Sequence, residues 1–246
     1  MERKQTLLAT ELTDTSRSPI RRYQEFALGN YSLFSLLKFE ILTSFLGPMP
    51  GAGGLFLRKI FYHYLLKKVG RNVVFGRNVT IRHPSKIVIG DNCIIDDNCV
   101  LDAKGEKNKG ILIGDNVVIA RNTIISCKGG SIEVGNNTTI AMNCLIHSEK
   151  HVRVGENTLI ASYCYIIGGG THDFERLDVP VIQQPSNSKG IFLEDNLWLG
   201  AGVKVLDGVK IGRDSIIGAG AVVTKDIPEF SIAVGIPAKV VKKRGE

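Results

Sequence analysis

From Val69 to the C-terminus the chain repeats one six-residue frame: an aliphatic residue, a small or acidic one, two often polar ones, then a small or β-branched fifth residue. The frame reads VGRNVV, FGRNVT, IRHPSK, IGDNCI, IDDNCV, IGDNVV, IARNTI, VGNNTT, IAMNCL, VGENTL and IASYCY, and later LEDNLW, LGAGVK, VLDGVK, IGRDSI, IGAGAV and VTKDIP. A hexapeptide period predicts a parallel β-helix. Each repeat makes one short strand and a corner, three repeats close a triangular coil, and coils stack by parallel hydrogen bonding. The aliphatic position points inward, and the fifth position must fit inside the same narrow prism, which restricts it to small side chains. Gly, Asn and Asp fall at the corners, where positive φ or local backbone bonding is needed. A sandwich of short strands would instead require period-two alternation and hairpin turns, which the recurring frame does not show.

The 27 glycines supply corners, and the low aromatic content, 7%, suits a prism too thin for large rings. The single tryptophan, Trp198, is therefore expected at a surface or an interface. Of the five cysteines, Cys93, Cys99, Cys144 and Cys164 occupy the inward fifth position. They read as small core residues in a reducing compartment, and the cytoplasm is the expected location. No continuous apolar stretch opens the chain, so no secretory leader is expected.

Three segments follow from composition. Residues 1–28 are polar, carry Arg17, Arg21 and Arg22 beside Pro19, and are expected to be flexible. Residues 29–68 hold two apolar, helix-compatible stretches, SLFSLLKFEILTSF and LFLRKIFYHYLLKK, separated by GPMPGAGG, which is expected to break any helix. Neither reaches the ~18–20 residues of a bilayer span. They fit either a cap over the open end of the prism or a peripheral membrane contact edged by Lys38, Arg58, Lys59, Lys67 and Lys68, and the two are compatible. Residues 69–246 form the repeat domain.

Chemistry is expected where the repeat breaks, because a regular prism is only a scaffold. DAKGEKNKG is a minor, solvated break. The major one follows IIGGGT and runs through HDFERLDVPVIQQPSNSKG, an arm of roughly 20 residues near 172–190. His172 opens it after Gly168, Gly169 and Gly170.

These residues resemble the hexapeptide-repeat acyltransferases, and most nearly their sugar O-acetyltransferase branch, across about 70–241. The resemblance implies a mainly β fold, a left-handed parallel β-helix with an N-terminal α-helical extension and an excursion arm. It implies transfer of an acetyl group from acetyl-CoA to a sugar or glycan hydroxyl, with His172 removing the acceptor proton. Asn143 corresponds to a residue near the acyl group, and Asp173 to a turn or acceptor contact. Trp198, with Ala201 three residues on, matches the family pattern. IGAGAVVTKDIP matches its coenzyme A segment and implicates Ala219, Thr224 and Lys225. Lys239 and Lys242 match basic positions near the nucleotide. Family members assemble as homotrimers with sites between chains.

Two other readings stay open. A zinc hydro-lyase of the same fold, like its carbonic anhydrases, would use three histidines, for which His147, His151 and His172 are available. Alternatively, the prism is a noncatalytic scaffold. The formal charge of +7 carries no nucleic-acid motif and is assigned to coenzyme A phosphates or anionic lipid. No metal is expected.

Overall fold

The structure, a computed structural model, describes residues 15–170 and 172–246. Its body consists of three sheets of seven, nine and seven strands that form the faces of a prism, all parallel except the terminal strand Lys239–Lys243 of the second. The chain visits them in turn: Lys68–Val69 lies on the first face, Val74–Phe75 on the second and Thr80–Arg82 on the third, and the next coil begins at Ile87–Ile89. Side chains of like position stack in register. On the third face Ile81, Leu101, Ile125, Ile146, Ile166, Val205 and Val223 form one inward column, and each is buried. Burying each such side chain is worth about 1.5–3 kcal/mol, so the repeat carries its own stabilisation coil by coil. All five cysteines are free and buried. Burial pushes the Cys99 thiol up to about 11 and that of Cys127 to about 12.

The corners explain the asparagines. Asn72, Asn92, Asn116, Asn137, Asn157 and Asn196 turn the chain from the first face to the second, all with φ between 53° and 56°. This left-handed conformation is one that Asn adopts more readily than most residues. Their amides also join coil to coil, as in Asn116 Nδ2 to Asn137 Oδ1 at 3.0 Å and Asn137 Nδ2 to Asn157 Oδ1 at 3.1 Å. A second ladder, Asn78 to Asn98 to Asn122 to Asn143, runs up the edge between the second and third faces.

The N-terminal helices close the bottom of the prism. Residues 1–14 of the segment expected to be flexible lie outside the described residues, but Pro19–Ala27 forms a helix, α1. Ser18 and Pro19 start it: the Ser18 hydroxyl accepts from the Arg21 N–H and Pro19 takes the first turn. Helix α2, Leu33–Ile41, continues as a π-helical turn, Leu42–Leu46. Helix α3, Gly51–Phe61, begins inside the glycine run expected to break it. The reason is close packing: a Cβ on Gly54 would lie 2.1 Å from the Met49 carbonyl oxygen and 3.0 Å from Arg58 Nη1.

Arg58, only 1% exposed, ties the cap to the body. Its Nε donates to Phe75 O at 2.9 Å, and Nη1 donates to Leu46 O at 2.8 Å and Met49 O at 2.7 Å. Tyr62 stacks obliquely on Phe75 with ring centroids 5.2 Å apart. These contacts cover the backbone edge that a first coil would otherwise expose.

Candidate active site

Successive coils along the first corner are 18 to 24 residues apart, but the step from Glu156 to Asp195 takes 39. The surplus is the arm. It leaves the third-face strand Tyr165–Gly168 and returns to the first face at Ile191–Leu193. Gly169 is required at the exit, because an added Cβ would sit 2.4 Å from Glu149 Cγ.

The arm is folded on itself rather than loose. His172 and Ser186 form an antiparallel bridge, and the Asp173 N–H donates to Pro185 O at 2.8 Å. Gln184, 3% exposed, is its interior: the side-chain amide donates to Arg176 O at 2.7 Å and Val179 O at 3.3 Å, and Oε1 accepts from the Arg176 N–H at 3.3 Å. His172 is half-buried, and its Nδ1 lies 3.3 Å from the Gln184 carbonyl oxygen. A proton on Nδ1 satisfies that carbonyl and leaves Nε2 as the basic nitrogen. The Asp173 carboxylate is held by the Asn187 amide at 3.3 and 3.4 Å.

Glu149 roots the arm on the preceding coil. Its Oε2 accepts from the Gly170 N–H at 3.0 Å and the Ser188 hydroxyl at 3.0 Å, one at each end of the excursion, while Oε1 accepts from Lys128 Nζ at 3.1 Å. Burial acts to raise this carboxyl, but the Gly170, Lys128 and Ser188 donors outweigh it and hold it down to about 2. Burial lowers His147, whose Nε2 is 3.8 Å from Glu149, and the carboxylate opposes that shift. The sequence reading missed Glu149 and Gln184. The only trace of Glu149 is a slip of the frame over HSEKH, and nothing local marks Gln184.

The other expected residues divide between two edges. Thr224 and Lys225 are exposed on the same edge as the arm, two coils above it, roughly 10 Å at ~4.8 Å per step. Asn143, Ala201 and Ala219 lie on the edge between the second and third faces. There the Asn ladder ends at Asn143, Tyr163 takes the next corner, and Gly202 and Gly220 follow at positive φ, so the edge above carries no side chain larger than the methyls of Ala201 and Ala219. Gly220 N–H donates to Ala201 O at 2.8 Å. Trp198, 51% exposed, stands on the second face in a column with Ile216, Ile232 and, on the antiparallel terminal strand Lys239–Lys243, Lys242. Lys239 pairs with Val234 on the same face. One chain therefore separates His172 from the Ala201 edge by the width of a face, roughly 10–13 Å at ~3.3 Å per residue. His147 and His151 lie on different faces. Among the described residues no three His, Cys, Asp or Glu side chains gather in a metal-holding group.

A prism of stacked parallel coils with one rooted excursion defines a class, the hexapeptide-repeat β-helix proteins. Residues 190–225 match the bacterial transferase hexapeptide family, and residues 68–103 match the hexapeptide repeat of succinyl-transferase. The fold is shared with the polysialic acid O-acetyltransferase OatWY, at a TM-score of 0.57 and 24% identity over 71% of this chain and 84% of that one; the helix is accordingly left-handed. The chain is 36% identical over 115 residues to a galactoside O-acetyltransferase of Lactococcus lactis, covering 47% of this chain and 51% of that protein. It is 35% identical over 115 residues to a probable acetyltransferase of Mycobacterium tuberculosis, covering 47% and 38% respectively. The chain thus spans about half or less of the length of these curated relatives.

Proposed function

We propose that the protein is an acetyl-CoA-dependent O-acetyltransferase acting on a hydroxyl of a sugar or glycan. The observation that carries this reading is the pairing of His172 Nδ1 with the Gln184 carbonyl, which presents Nε2 as a base on an arm rooted by Glu149. In the proposed reaction Nε2 takes the acceptor hydroxyl proton as the oxygen attacks the thioester carbonyl carbon. The C–S bond then breaks, and the imidazolium returns its proton to the departing thiolate. No covalent enzyme intermediate forms; Cys164 is buried, which suppresses its nucleophilicity. Asn143 Oδ1 already accepts from Asn122 at 3.1 Å, so the group it offers a developing oxyanion is its Nδ2. Asp173 is assigned to the acceptor. The small-residue edge past Ala201 and Ala219 suits a thin pantetheine arm, with Trp198 walling the thioester, while Thr224, Lys225, Lys239 and Lys242 serve the nucleotide and its phosphates.

Because these groups lie on two edges, the site is proposed to close between chains of a homotrimer. The arm supports this by exposing Phe174 at 68%, Leu177 at 98% and Ile182 at 56%, side chains that a neighbouring chain would cover. A cytoplasmic setting supplies the acetyl-CoA. The testing experiment is thiol release from acetyl-CoA against sugars, nucleotide sugars and lipid-linked glycans, with His172→Ala beside the native protein. Acceptor-dependent release that falls by about 10²–10⁴ in the variant, with coenzyme A binding retained, is the expected result; a native protein that binds no coenzyme A overturns the reading.

A further inference from the structure

Helices α2 and α3 each turn one face to the body and expose an apolar face on the other side. Their inner faces bury Phe39, Gly54 and Arg58 against the first coil. Their outer faces have no partner among the described residues: Phe34 is 76% exposed, Leu37 61% and Phe45 70% along α2 and its π-helical turn, and Phe56 is 62% exposed on α3. Phe34, Leu37, Ile41 and Phe45 recur at helical spacing, as do Phe56 and Ile60, so each helix carries a continuous apolar stripe. Lys38 near the middle of α2 donates from Nζ to Tyr64 O past the end of α3 at 2.8 Å, and Arg58 reaches Leu46 O at the far end of the π turn.

The surrounding charge is one-sided. Residues 29–68 contain five basic residues and one acid, Glu40, and the Glu40 carboxylate is engaged by the Tyr23 hydroxyl at 2.5 Å. Lys59, on α3 itself, and Lys67 and Lys68, where the chain enters the first coil, are exposed. Copies of this face would each bring the same excess of basic residues, with the segment's single acid already engaged by Tyr23. An anionic bilayer is complementary in both respects, accepting aromatic and aliphatic side chains below the headgroups and lysines among the phosphates. No helix among the described residues is long and apolar enough to cross a membrane. We propose that the outer faces of α2 and α3 dock this protein on the surface of an anionic lipid bilayer, independently of the reaction assigned to the arm.

The test is flotation of the full chain with vesicles of phosphatidylcholine alone and of phosphatidylcholine with phosphatidylglycerol at about 7:3. Binding to the anionic vesicles, weakened on the order of 100-fold by Lys59→Gln with Lys67→Gln and Lys68→Gln, supports the proposal, since each surface lysine is worth roughly a factor of several. Phe34→Glu with Phe56→Glu, at sites too exposed to affect folding, is expected to abolish binding while leaving the melting temperature and solution mass unchanged. Three results would overturn the proposal: no binding to either vesicle, equal binding to both, or a drop in solution mass in the double variant without vesicle binding by the native protein. The last would make this face a contact between copies.

Discussion

The Ser188 hydroxyl donates to Oε2 of Glu149 at 3.0 Å, joining residues 39 apart in the chain, and the Gly170 N–H donates to the same oxygen at 3.0 Å. A single carboxylate oxygen thus fastens both roots of the excursion that carries His172. His172, the proposed base, is held by this latch from below and by the Gln184 carbonyl from within.

Glu149→Ala should free the arm without unfolding the coils. The carboxyl is depressed from its ordinary 4.5 to about 2 in the folded chain, so its stabilisation is complete above the unfolded value and fades as pH falls from 4.5 toward 2. Pepsin cleavage within the arm, near Phe174 and Leu177, is expected to rise over that interval in the native protein. In the variant it is expected already at pH 4, and identical profiles would remove Glu149 from this role.

If the site closes between chains, His172→Ala and Trp198→Ala proteins should each be inactive as homotrimers. Co-refolded mixtures should recover acetyl transfer, because a mixed trimer pairs one intact arm with one intact second face. Mixtures that stay inactive would place both groups in a single-chain site.

Arg58→Met keeps the volume but leaves the carbonyls of Phe75, Leu46 and Met49 without their donors. A loss of about 2–4 kcal/mol in thermal or denaturant unfolding is expected. Arg58→Lys should recover little of it, since one ammonium cannot reproduce the guanidinium fork.

The corner column separates two costs at one position. Asn116 holds φ 56°, accepts from Asn92 at 3.2 Å and donates to Asn137 at 3.0 Å. Asn116→Ala loses both the bonds and the tolerated backbone, about 2 kcal/mol in all. Asn116→Gly loses the bonds but regains the conformation, and should cost about half as much in the same chemical denaturation assay.

Much of this was legible in the residues. The period of six places Ile146 inward and Asn116 at a corner because every coil repeats the same local problem, and local chemistry answers it. The arm was visible as a failure of the period, and His172 as the titratable group at its mouth. The helix start at Ser18–Pro19 was missed because a polar, arginine-rich segment argues for flexibility, and the start of α3 at Gly51 because a glycine run normally argues against helix. Glu149 and Gln184 were missed, Glu149 because its partners lie 21 and 39 residues away and Gln184 because it bonds backbone groups that only the folded arm brings to it.

The sequence by itself determined the prism, its corners and the place of its one long excursion, because these depend on side-chain size and backbone preference within six residues. Only the tertiary structure decided that Glu149 would latch both roots of the arm and that the Gln184 carbonyl would meet His172. It also decided that His172 and the Ala201–Ala219 edge would stand a face apart in one chain. Those relations are set by how coils stack and where the arm folds back, and neither is encoded in any single repeat.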